Sequence, residues 1–164
     1  TSVEMKKTFG IGLLTDMARC LYVERRSRDN IHGEKSEISR ALSQGFSVML
    51  YPEGTSGDGG GVLPFKRTLI MAAAEAQVPL QPVCFNFVRI NGEEFTEKFR
   101  DALCWHQTLG FFPHLWQLLQ LDSIEAELEF LEPLQITHED DKNEVAQKAQ
   151  AAVARAFRPI QKIT

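Results

Sequence analysis

The sequence predicts an α/β fold, a largely parallel sheet flanked by helices. Three observations carry that expectation. Apolar runs rich in β-formers alternate along the chain with stretches of helical spacing. Gly45 and Pro52 fall at the ends of such runs, where each stops the element before it. No linker, repeat or low-complexity tract divides the 164 residues, so one domain is expected over residues 1–164.

The elements follow in order. Residues 9–17 read as a short helix despite Gly10 and Gly12. Residues 20–24 (CLYVE) read as a short buried strand with Arg25 and Arg26 at its end. Residues 34–44 place Ile38, Ala41 and Leu42 at helical spacing. Residues 46–51 (FSVMLY) read as a strand, and residues 52–63 as a glycine-rich loop. Phe65, Leu69, Ala72, Ala73 and Ala76 mark one face of the next helix. Residues 80–89 read as a strand, and residues 111–121 as a helix that forms part of the core, the other reading being that it lines an acyl-chain groove or dips into a bilayer surface. Residues 124–131 alternate apolar and acidic side chains, as a half-exposed strand does. Val145, Ala149, Ala152, Val153, Ala156 and Phe157 give a final amphipathic helix. In a parallel sheet, ligands sit at the carboxyl ends of the strands. Arg25 and the loop after Tyr51 would then share one edge.

Composition narrows the function. At 43% hydrophobic and 24% charged residues the chain is ordinary for a globular domain. A net charge of -4 argues against nucleic-acid binding, which needs an excess of Lys and Arg. Cys20, Cys84 and Cys104 have neither the spacing nor the even number of a disulfide framework, and no zinc site is expected. Cys20 and Cys84 read as core residues in a reducing, cytoplasmic setting. No apolar run approaches the ~20 residues that span a bilayer. Membrane contact, if made, is expected to be peripheral. The sequence opens on Thr1 and at once on an amphipathic stretch, so it is expected to be a fragment of something longer.

The densest chemical signal is Tyr51-Pro52-Glu53-Gly54-Thr55-Ser56, then a glycine-rich stretch, then Leu63-Pro64-Phe65-Lys66. Gly54 permits a tight turn or close approach to a ligand. Thr55 and Ser56 offer hydroxyls beside backbone N–H groups. Lys66 stands at an expected helix start, where an anion is favoured. This is not a Walker loop, because no Gly-Lys-Ser/Thr closes it. Taken alone, the segment reads as a strand–loop–helix connection with a flexible tip.

Tyr51-Pro52-Glu53-Gly54-Thr55 with Leu63-Pro64-Phe65-Lys66 resembles the third conserved block of the glycerolphosphate and lysophosphatidic acid acyltransferases. Leu21-Tyr22-Val23-Glu24-Arg25 resembles the second block and Val78-Pro79-Leu80-Gln81-Pro82-Val83 the fourth, in the right order. There are departures. Ser56 stands where the third block has arginine, and Arg19 and Thr68 stand where the family has glycine. The Glu-Gly-Thr-Ser form is similar to a bacterial subgroup that includes lyso-ornithine lipid acyltransferases. The first block, H-x-x-x-x-D, does not occur in the sequence. His32 begins only H-x-x-x-x-E after the second block and reads as a surface residue.

The resemblance implies a glycerolphosphate acyltransferase-like fold, N-terminally incomplete. It implies transfer of a fatty acyl group from acyl-CoA or acyl carrier protein to the free hydroxyl of a lyso-lipid such as 1-acylglycerol-3-phosphate. No cofactor is implied beyond that co-substrate. The catalytic histidine is expected upstream of Thr1, which leaves none in this chain. The substrate-binding set would be Arg25, Glu53, Gly54, Thr55, Ser56, Lys66, Pro79 and Pro82. Arg25 and Lys66 would hold an acceptor phosphate, as a bidentate clamp and a point charge. Glu53 would repel that phosphate unless neutralised, so its expected role is positioning, through Arg25 or loop N–H groups. Pro79 and Pro82 would flank the acyl site. The expected location is the cytoplasmic face of a membrane. Two alternatives stand beside this reading: a non-catalytic relative that binds lipid or acyl carrier protein, and acyl transfer to another lyso-lipid such as lyso-ornithine lipid.

Overall fold

A computed structural model describes residues 3–7, 10–23, 31–105 and 110–161. In chain order the elements are α1 (Val3–Lys6), α2 (Ile11–Met17), α3 (Ile31–Ser43), α4 (Arg67–Ile70), α5 (Ala72–Glu75), β1 (Val83–Ile90), β2 (Glu93–Glu94), a 3-10 turn (Glu97–Phe99), α6 (Arg100–Leu103), α7 (Phe111–Leu119), β3 (Ile124–Phe130) and α8 (Lys142–Ala156). They divide into two compact units.

The first unit holds residues 1–54, 66–80 and 135–146. Its core gathers Ile38 of α3, Ile70 of α4, the three alanines of α5, and Val145 and Ala146 at the start of α8. Small side chains let α5 lie close against α3, and Lys35 of α3 pairs with Glu75 of α5 at 2.6 Å. Gly12 admits α1: a Cβ there would stand 2.3 Å from the Lys6 carbonyl oxygen. The start of α8 is capped by Asp141. Its Oδ1 accepts from the Asn143 and Glu144 amides at 2.8 and 3.1 Å, and these bonds hold the carboxyl below the usual carboxylate range.

The second unit holds residues 55–65, 81–134 and 147–164. Its sheet has three strands in the order β2-β1-β3, all antiparallel. Asn91 and Gly92, both at positive φ, make the two-residue turn between β1 and β2. β1 and β3 pair from Val83↔Phe130 to Ile90↔Ile124, with a bulge between Phe87 and Arg89. The extra residue, Val88, turns its carbonyl to the Phe95 amide at 3.1 Å. One face of β1 buries Cys84 and Asn86. The Asn86 side chain donates to the Ala156 carbonyl at 3.1 Å and accepts from the Arg158 amide at 2.9 Å, so it closes the end of α8 from inside the core.

The expected parallel sheet is therefore corrected to a small antiparallel one. Residues 46–51 form no strand, and Phe46, Met49 and Tyr51 are exposed. Residues 20–23 reach only a single bridge at Val23, and Glu24 lies outside the described residues. β-forming side chains fit a pleated surface, but a strand also needs a partner to complete its ladder. Here the completed ladder joins β1 to β3. With residues 46–51 outside any sheet, the shared strand edge expected for Arg25 and the loop after Tyr51 also falls away. The expected core helix 111–121 is corrected too: α7 has no buried residue. β3 is exposed along its whole length rather than by half. The long helix expected across residues 65–76 is two single turns broken at Met71. The expectations for α2, α3, β1 and α8 hold to within a few residues of their ends.

Candidate acceptor-binding site

Pro52, Glu53, Gly54 and Lys66 meet in the first unit. The Gly54 amide donates to the Tyr51 carbonyl at 3.1 Å, closing a tight turn that places Gly54 at φ 70°. The Lys66 amide donates to the Pro52 carbonyl at 2.8 Å, which fastens the far end of the loop to this turn. The Lys66 side chain then runs across Gly54. A Cβ at Gly54 would lie 2.4 Å from Lys66 Nζ, 2.8 Å from Cε and 3.1 Å from Cδ. Gly54 is required by its left-handed backbone, and the exposed, flexible end of Lys66 lies in the space that a Cβ there would take. Lys66 is exposed, so its ammonium is a point charge held against a turn and open to a ligand. Glu53 is half-buried in the same turn.

Helix-dipole help at Lys66, expected from the sequence, is small, because α4 has only four residues. The neighbouring Arg67 is tied to Asn143 Oδ1 at 2.6 Å. Arg25 lies outside the described residues, as do Arg26 and His106. Of the second block, Tyr22 is anchored to α2. Tyr22 Oη donates to Asp16 Oδ1 at 2.5 Å and lies 2.8 Å from Thr15 Oγ1, while Lys6 Nζ stands 4.7 Å over the Tyr22 ring. The bond to Asp16 pushes the phenol up from its ordinary pKa.

The remaining predicted residues are distributed differently. Thr55 and Ser56 fall in the second unit and are exposed. The Ser56 hydroxyl donates to the Trp105 carbonyl, a tether that nothing in the local sequence announces. The loop tip is anchored rather than loose. Gly59, at φ 81°, gives its carbonyl to the Ile160 amide at 3.0 Å, and a Cβ there would meet Ile160 Cδ1 at 2.7 Å and Cys104 Sγ at 3.2 Å. Burial pushes the Cys104 and Cys84 thiols up, away from nucleophilic thiolate. Pro79 is exposed in the first unit. Pro82 is buried in the second, where its carbonyl accepts from Leu131 at 3.0 Å just before β1. A groove of about 360 Å³ touches Val78, and its wall is only about half apolar, Gln77, Gln135, Thr137, His138 and Glu139 standing beside Ala74, Val78 and Ile136. An acyl chain needs an apolar wall.

His32 is exposed on α3 and His138 is exposed in the first unit. His114 is half-buried on α7, with Nε2 buried and without a hydrogen-bond partner. Among the described residues, no three His, Cys, Asp or Glu side chains cluster as metal ligands.

A family model described as Acyltransferase matches residues 2–86. Over 142 residues the chain is 34% identical to a lyso-ornithine lipid O-acyltransferase of Brucella abortus, covering 82% of this chain and 53% of that protein. It is 30% identical over 142 residues to a protein of the same description from Rhizobium meliloti, covering 82% and 49%. It is 34% identical over 73 residues to a 1-acyl-sn-glycerol-3-phosphate acyltransferase of Haemophilus influenzae, covering 44% and 30%. The chain spans about half the length of the lyso-ornithine relatives it matches. No solved structure matches it.

Proposed function

The chain belongs to the acyltransferase family, and on that premise we propose that it holds the acceptor in a transfer of a fatty acyl group to the free hydroxyl of a lyso-lipid. The acceptor proposed is lyso-ornithine lipid. One observation carries that choice. The similarity to proteins so described runs through 82% of the chain at 34% and 30% identity, whereas 1-acyl-sn-glycerol-3-phosphate acyltransferases match at 34% over only 44% of the chain, or over 92% at only 21%.

The chemistry of the site supports the same choice. An ornithine headgroup offers one carboxylate and one ammonium. A phosphate monoester carries about -1.5 to -2 at neutral pH and draws several cations. Ser56 removes the cation that the third block places there, and a single carboxylate needs less positive charge. Glu53 beside Gly54 would repel a phosphate but tolerates a zwitterion. Lys66 supplies the point charge for the carboxylate.

In this reading the acyl donor is a thioester, of coenzyme A or of acyl carrier protein. A general base from outside residues 1–164 takes the hydroxyl proton, since no H-x-x-x-x-D occurs within them. The oxygen attacks the thioester carbonyl, the C–O ester bond forms, the C–S bond breaks and the thiolate leaves. No covalent enzyme intermediate is involved. Arg25 is a second cation proposed for the acceptor, and the reaction is placed at the cytoplasmic face of a membrane.

Calorimetric titration of the chain with the two acceptors tests the choice. Lyso-ornithine lipid is expected to bind roughly tenfold or more tightly than 1-acylglycerol-3-phosphate, a difference of about 1.4 kcal/mol. The reverse order would assign the chain to glycerolipid acceptors. Binding of neither would remove the acceptor-holding role.

A further inference from the structure

We infer that the outer face of α7 is a lipid-surface contact: Phe112, Trp116 and Leu119 enter the headgroup–acyl boundary of a bilayer. The partner's identity rests on the lyso-lipid reading above, because such an acceptor resides in a bilayer. The face itself rests on independent observations.

α7 has two sides. Phe111, His114, Leu115 and Leu118, at helical spacing, are half-buried. Trp105 packs on this side, with ring centroids 5.9 Å from Phe111 and 6.0 Å from His114. The other side presents Phe112, Trp116 and Leu119, exposed by 59%, 66% and 67%. The spacing of 112, 116 and 119 puts them on one stripe. From Gly110 to Leu121 the sequence contains no Asp, Glu, Lys or Arg. A membrane-surface helix in isolation needs a charged face for water. α7 does not, because its second side lies against its own protein.

Charge and area choose the occupant. An uncharged stripe of two aromatic rings and a leucine suits the headgroup–acyl boundary of a bilayer, where tryptophan is enriched and no counter-charge is required. A second copy of the chain fits poorly. Three partly exposed side chains of this size offer roughly 400 Å², about half of what each partner of a stable dimer buries. Among the described residues no helix is long and apolar enough to cross a membrane, so contact through α7 is contact from one side.

The test is flotation of the chain with phosphatidylcholine vesicles, compared with the variant Trp116→Gln/Leu119→Gln. The variant is expected to lose roughly tenfold or more in vesicle partitioning, with circular dichroism unchanged. Partitioning of the unmodified chain should not rise with added anionic lipid, because the stripe carries no cation and the chain is net negative. The unmodified chain has two tryptophans, and acyl-brominated phosphatidylcholine should quench part of their fluorescence. That reading needs no variant to fold. Equal flotation of variant and parent overturns the inference, as does absence of quenching. A lipid-free dimer that the variant abolishes also overturns it, by giving the face to a second copy. A short-chain N-acylornithine, soluble without a membrane, should bind parent and variant alike. If it binds neither while the vesicle results hold, the acceptor reading fails and the membrane face stands.

Discussion

Lys66→Ala is expected to weaken acceptor binding by roughly 10- to 100-fold, since a hydrogen bond to a charged group contributes about 1.5–3 kcal/mol. The fold should be little affected, because the Lys66 side chain is exposed and its amide bond to Pro52 survives the change. Gly54→Ala keeps the lysine but puts a methyl group 2.4 Å from Nζ, so the flexible end of Lys66 must move off the turn. It also forces a side chain onto a backbone at φ 70°. A similar loss of binding is expected, with about 1 kcal/mol of lost stability from the left-handed position. The two changes act on one contact, so they should not add: the double variant should bind about as weakly as Lys66→Ala alone. Titration of the four proteins with lyso-ornithine lipid reads the cycle. Additive losses would mean that Gly54 serves some end other than placing Lys66.

Asn86→Leu is expected to cost the second unit about 2–4 kcal/mol. The side chain is buried, and removing its amide strands both the Ala156 carbonyl and the Arg158 amide inside the unit. Leucine keeps the volume but offers neither bond. Thermal unfolding should move down by roughly 5–15 °C for a chain of this size. A shift within a degree or two would mean that water takes over both groups and that the closure of α8 contributes little.

How far the chain could be read from its sequence depended on where the information lies. Helical spacing is local, and α2, α3 and α8 could be read from it. Strand propensity is only half local. Residues 46–51 have the composition of a strand, yet no ladder forms there, while residues 124–130 find β1 and make one. The sheet's direction was therefore out of reach, because it depends on which runs pair. The hairpin at Asn91-Gly92 does carry its own signal, a dipeptide suited to two positive φ values, which lies just past the strand expected over residues 80–89. α7 was misjudged for another reason: nine largely apolar residues look alike whether buried or exposed.

The site shows the same division. Gly54 and Lys66 were legible through a short ordered motif, and the turn brings them together. The Ser56–Trp105 tether and the packing of Gly59 against Ile160 join residues far apart in the chain, and no spacing rule encodes them. In the sequence Tyr22 stands out only as part of the second block. Its bonds to Asp16 and Thr15 appear once α2 is folded, since those partners lie six and seven residues upstream.

The central claim is that the Lys66 ammonium, laid across Gly54, receives the acceptor's anionic group. The most direct measurement is an NMR titration of isotope-labelled chain with soluble N-acylornithine, following the Gly54 amide and the Lys66 Nζ signals. Both should move together, saturate at one ligand concentration, and stay still when the ligand's carboxylate is converted to an amide. Saturable binding that leaves these two signals unmoved, or equal shifts with the amide, would contradict it.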